Sequence, residues 1–138
     1  MFRVLSILAL LMLSAGCSGS AETAQATASV PFTDEVSDMV GKWGVEGEVS
    51  LIVSLVGDLL VFSAPENDTW RMDISDAGLD GDSVSFIQKN FLHSGESHPF
   101  NGVACETVVR LIDSDTMEMT MTTVHTPAPG SDLLARIE

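Results

Sequence analysis

The side chains in this chain able to do chemistry fall into a few groups, and each needs a particular spacing to work. His93, His98 and His125 could hold a metal if two or three converged, with Glu96 as a further ligand, but no short pair such as His-x-His is present. Exposed loop histidines are therefore expected. Asp73, Asp76, Asp80 and Asp82 gather carboxylate oxygens, the donors that calcium prefers. The Asp-x-Asp-x-Asp-Gly order is missing, however, and Asp80-Gly81-Asp82 supplies two ligands at most, so ordinary turn residues are expected. Glu46 and Glu48 fall on one exposed face, which does not suit paired-carboxylate hydrolysis. No serine lies in a Gly-x-Ser-x-Gly turn, and none has an evident base and orienting group. The sequence thus offers no catalytic motif and calls for no cofactor or metal.

The remaining chemistry is apolar. Met117, Met119 and Met121 alternate with Thr116, Glu118, Thr120 and Thr122, so the three thioethers share one face of a strand. They serve either as core packing or as the pliable wall of a cavity, because unbranched thioethers adapt to varied ligands. Trp43, Phe62, Trp70, Phe86 and Phe100 are available to line the same interior. Trp43, Trp70, Phe86, Met117, Met119 and Met121 are the candidate ligand contacts.

Charge excludes one class of partner. Twenty acidic residues face six basic ones, a formal charge of −14. Nucleic acid binding requires clustered Lys and Arg that displace counterions, and there is no such cluster. Adhesion to anionic head groups is excluded on the same ground. An acidic, strongly solvated surface that resists aggregation is expected.

The N-terminus has a distinct composition. Arg3 precedes Val4 to Leu13, an apolar run broken only by Ser6. As a helix it reaches about 15 Å, half of a ~30 Å hydrocarbon core, which suits a signal h-region and not a membrane span. Ser14, Ala15, Gly16 and then Cys17 follow. An ordinary secretory signal cleaved near Ala15 or Ala21 is one reading. The Cys after small residues resembles the lipobox of bacterial lipoprotein precursors, with Ser14 where Leu is commonest. That resemblance implies a signal peptide over 1–16 and a lipidated Cys17, cleaved from Gly16 and acylated on sulfur and amine. It also implies a membrane held through the anchor. Ser18 resembles default sorting to the outer membrane of a diderm cell, facing the periplasm. Cys105 is the only other cysteine. With Cys17 acylated it has no disulfide partner, and it is expected as a small buried hydrophobe.

These residues need elements to position them. Ser18 to Val30 is rich in Ser, Ala and Thr without apolar periodicity, so 17–31 is expected as a flexible tether and 32–138 as one domain. Thr33 or Asp34 can cap a short helix that buries Val36, Met39 and Val40 with Phe32, ended by Gly41. From Lys42 the period changes to two: Trp43, Val45, Gly47, Val49, Leu51, Val53 and Leu55 share a face, with a bend near Gly47. Gly57-Asp58 predicts a hairpin turn into Leu59 to Phe62. Trp70 to Ile74 alternates, and Ser75 to Asp82 reads as turn chemistry. Further strands are expected over Val84 to Phe91, Gly102 to Ile112, Thr116 to His125 and Leu133 to Ile137.

Seven to nine strands without helical crossovers predict an all-β domain, a small antiparallel meander barrel with a short N-terminal helix. A flattened β-sandwich is the alternative. Gly41-Lys42-Trp43 resembles the Gly-x-Trp start of the first strand in lipocalin-like barrels. In those barrels a basic residue of the last strand covers the Trp, and Arg136 stands at that place. Two functional readings follow. One is a membrane-anchored envelope lipoprotein that binds or carries an apolar small molecule inside the barrel. The other is an interaction lipoprotein with a solid core that docks an unidentified envelope protein. A continuous apolar cavity of roughly 300 Å³ or more separates them.

Overall fold

The computed structural model describes residues 25–138, so the leader and Cys17 lie outside the described residues. Alternation of apolar and polar residues drives nearly everything within that range. The strands are β1 (Ala28–Pro31), β2 (Gly41–Val45), β3 (Glu48–Val56), β4 (Leu59–Ser63), β5 (Trp70–Asp80), β6 (Ser83–Leu92), β7 (Cys105–Asp113), β8 (Thr116–Thr122) and β9 (Gly130–Ile137). They form one sheet in the order β1-β4-β3-β2-β9-β8-β7-β6-β5. Strands β2 to β9 are thus an antiparallel meander whose first and last members pair, Trp43 opposite Arg136. The meander is open only between β4 and β5.

The N-terminal strand fills that opening. Ala28, Ser29, Val30 and Pro31 pair with Phe62, Val61, Leu60 and Leu59. On the other side the Ile74 amide donates to the Ala26 carbonyl at 3.0 Å. The result is a nearly closed barrel, and a flattened sandwich is set aside. The expected tether ends earlier than its composition suggests. Val30 is buried, the Ala26 amide donates to Asp73 Oδ1, and Gln25 reaches the Ala64 carbonyl. A four-residue strand of small side chains leaves no readable period, but two unpaired edges require a partner.

Other elements also differ from expectation. The segment before β2 is a 3-10 helix, Asp34–Met39; Thr33 does not make the expected side-chain cap, and Val36 and Met39 are buried. The bend near Gly47 is a full reversal. Val45 pairs with Glu48, and Glu46 and Gly47 both take positive φ, 54° and 82°, the demand of a two-residue hairpin. The expected turn over Ser75 to Asp82 is mostly strand. β5 runs to Asp80, with a bulge between Ser75 and Gly78 where Asp76 takes φ 54°.

The core occupies one end. Trp43, Leu51, Val53, Leu60, Phe62, Ile74, Val84, Phe86, Val109, Met117 and Leu134 are buried together with Val36 and Met39 of the 3-10 helix, which plugs that end. The connections at 57–58, 81–82 and 114–115 lie there. The opposite end carries the 46–47 turn and the longer loops 64–69, 93–104 and 123–129.

Candidate functional site

The plugged end is fastened by two side chains. Trp43 Nε1 donates to the Met39 carbonyl at 2.8 Å. The Arg136 guanidinium lies 4.4 Å from the Trp43 ring, so cation–π attraction adds to packing. Its Nη1 donates to the Val40 carbonyl at 2.7 Å, and its Nη2 to those of Asp38 at 2.7 Å and Ser114 at 2.8 Å. One planar fork thereby satisfies carbonyls of the 3-10 helix, its exit and the β7–β8 turn. This is a structural clasp.

The open end is different. A cavity of about 620 Å³ lies between the strand ends and the 64–69 loop. Met72, Met119, Met121 and Leu134 give it an apolar floor, extended by Val45 and Val49. Around these stand polar groups: Ser50, Asn67 and Gln88, with the carboxylates of Glu48, Glu66 and Asp132. The register explains the gradient. Inward positions of β9 read Gly130, Asp132, Leu134, Arg136 from the open end down, and those of β6 read Asn90, Gln88, Phe86, Val84. Below the mouth both strands turn from polar to apolar side chains, and Arg136 closes the far end of β9 in the clasp, so the barrel is packed below and hollow above.

The candidate contacts separate accordingly. Met119 and Met121 line the cavity. Met117 is buried beneath them, opposite Leu134. Trp43 belongs to the clasp, and Phe86 packs on Phe62 with ring centroids 5.8 Å apart. Trp70 begins β5 at the rim and meets the His98 ring edge-on at 5.2 Å. Phe100, expected inside, is 43% exposed and packs against His125 at 5.0 Å. Its place in a loop frees it from the strand alternation that would have turned it inward.

The sequence reading missed Glu48, Glu66, Asn67, Gln88 and Asp132. Gln88 was visible as the third inward position after Val84 and Phe86. Asp132 was hidden because β9 begins at Gly130, three residues before the expected start at Leu133.

The histidines are exposed and serve the loops. His93 Nε2 lies 3.0 Å from the Asn67 carbonyl, His125 Nε2 3.0 Å from that of Pro99, and His98 Nδ1 accepts from the Phe100 amide at 3.1 Å. Among the described residues no group of three or more His, Cys, Asp or Glu side chains is placed to hold a metal. Cys105 is a free thiol and only half-buried, at the first residue of β7 near the rim. Thr107, one inward position deeper, is buried in its stead; its hydroxyl is satisfied by the Cys105 carbonyl at 3.3 Å. Compared with family models, curated proteins and solved structures, the chain matches none.

Proposed function

We propose that this protein is an envelope lipoprotein, anchored through Cys17, whose barrel holds an apolar small molecule at its open end. The observation that carries the ligand reading is the hollow upper half, about 620 Å³. That volume lies within the roughly 300–1,000 Å³ range of small-molecule sites. Its methionine floor suits ligands of varied shape, since each thioether side chain re-packs through several rotatable bonds. The Arg136–Trp43 clasp supports a lipocalin-like reading of the closed end.

Chain direction fits this reading. Ala28 pairs with Phe62 near the open end of β4, and Gln25 reaches Ala64 in the adjoining loop. A lipid on Cys17, eight residues before Gln25 in the sequence, would tether the domain from the side on which the described chain enters. A ligand drawn from or delivered to the same membrane then has a short path. In a diderm cell the sorting resemblance at Ser18 would put the protein on the outer membrane, facing the periplasm.

Native mass spectrometry of the purified protein tests the reading. We expect a co-purified small molecule, bound less tightly in Met121→Trp, whose indole projects into the cavity and narrows it, while strand content by circular dichroism is unchanged. A spectrum of bare protein, with no apolar probe taken up, would refute it.

One feature favours the alternative of a docking lipoprotein. Phe32, Leu55, Val56 and Leu59 leave 39–59% of their surface exposed around the Gly57-Asp58 turn at the closed end. Bare protein with an intact fold would shift the reading to that face.

A further inference from the structure

We infer that the cavity selects amphiphiles with a cationic end group. This deepens the proposed function and rests on the cavity being a ligand site. Three carboxylates stand at its edge on three separate elements: Glu48 opens β3, Glu66 lies in the 64–69 loop, and Asp132 lies on β9. Asp132 is an inward-register position directly opposite Met119, so its charge borders the apolar floor itself. Among the described residues lining the cavity there is no Lys, Arg or His to offset these charges.

Among the described residues, the cations are paired or turned elsewhere. Arg71 pairs with Asp73 at 3.1 Å and lies over Phe91, Arg110 pairs with Glu118 at 3.4 Å, and Arg136 forms the clasp. Lys42 and Lys89 occupy outward positions, next to inward Trp43 and Gln88. Among the described residues, no ion pair involves Glu48, Glu66 or Asp132.

An apolar body buried against Met72, Met119, Met121 and Leu134 would place its end group among these carboxylates. An ammonium there gains attraction from all three and can donate hydrogen bonds to their oxygens, whereas a carboxylate would be repelled. Among the described residues the cavity wall holds no aromatic side chain, so charge and hydrogen bonding discriminate, without an aromatic cage. The chain's charge of −14 draws cations toward the mouth from a distance.

Three ten-carbon probes with the same tail separate the contributions: decylammonium, decanol and decanoate, each titrated calorimetrically into the protein below its aggregation concentration. We expect decylammonium to bind on the order of tenfold more tightly than decanol, with decanoate weakest, a spacing that narrows as salt screens the charges. The triple variant Glu48→Gln, Glu66→Gln, Asp132→Asn should lose that order while keeping the decanol affinity. All three positions are exposed, so the fold should persist. Equal affinities, a decanoate preference, or an order retained in the triple variant would overturn the charge proposal and leave the cavity reading standing. Failure of all three probes to bind would overturn both.

Discussion

Arg136 does more for this molecule than any other single charged residue. Its guanidinium satisfies the carbonyls of Asp38, Val40 and Ser114 while stacking on Trp43. A lysine retains the charge but presents one compact ammonium, which cannot reach three carbonyls in separate segments or stack as a plane. Arg136→Lys should therefore cost about 2 kcal/mol in urea unfolding, as partly buried carbonyls lose their donors. A cost within the roughly ±0.5 kcal/mol of ordinary surface changes would show that the clasp is ornamental. Alternation turns Trp43 inward, but its partner was legible only through the Gly-x-Trp resemblance, which implies a basic residue of the last strand over the Trp. Arg136 lies in that strand, one residue before its end. The methionines were legible only as a stripe. Alternation assigns Met117, Met119 and Met121 to one face but not to a depth. The structure separates them from fully buried Met117 to half-buried Met121 at the cavity.

At the scale of elements, the strands announce themselves and their irregularities do not. β3, β4, β6 and β8 follow from alternating side chains, which record which way each residue faces. Bulges and short edge strands are set by the closing of the barrel, which no local pattern records. Gly44 shows the cost of one such irregularity. The register shifts between Trp43 and Gly44, bringing the Glu48 carbonyl against the Gly44 Cα. A Cβ added there would sit 1.8 Å from that oxygen, and neither backbone can yield without opening the hairpin. Gly44→Ala should lower stability by about 3 kcal/mol, the upper end for overpacking, seen as a fall in Tm. Gly130→Ala is the matched control. It also lies in a strand of this barrel, yet its added Cβ meets nothing within 4 Å, and Tm should barely move. Equal effects at the two glycines would mean that the bulge does not hold β2 against β3. β1 was missed for the same reason. Only the gap between β4 and β5 reveals why Ala28–Pro31 must be a strand.

At the scale of the whole molecule, the barrel divides into a plugged end that holds the fold and an open end that leaves room for chemistry. The described chain enters at the open end, through Gln25, Ala26 and β1, so the proposed anchor at Cys17 precedes the first residue that contacts the barrel among those described. Val30 is the deepest residue of the entering segment, and the contacts of Gln25 and Ala26 are with the barrel itself. Among the described residues, what holds β1 in place is the barrel itself. Under the proposed anchoring, two or more acyl chains, each contributing about 0.8 kcal/mol per buried methylene, would suffice for stable attachment, while the acidity of the domain disfavours anionic head groups. Cys17→Ser should consequently move the protein from the membrane to the soluble fraction with no change in Tm. Its affinity for decylammonium should equal that of the anchored form. Retention on the membrane after the substitution would refute the lipid anchor. Release accompanied by a lower Tm would show that the segment before Gln25 belongs to the folded barrel and does not serve only as its tether.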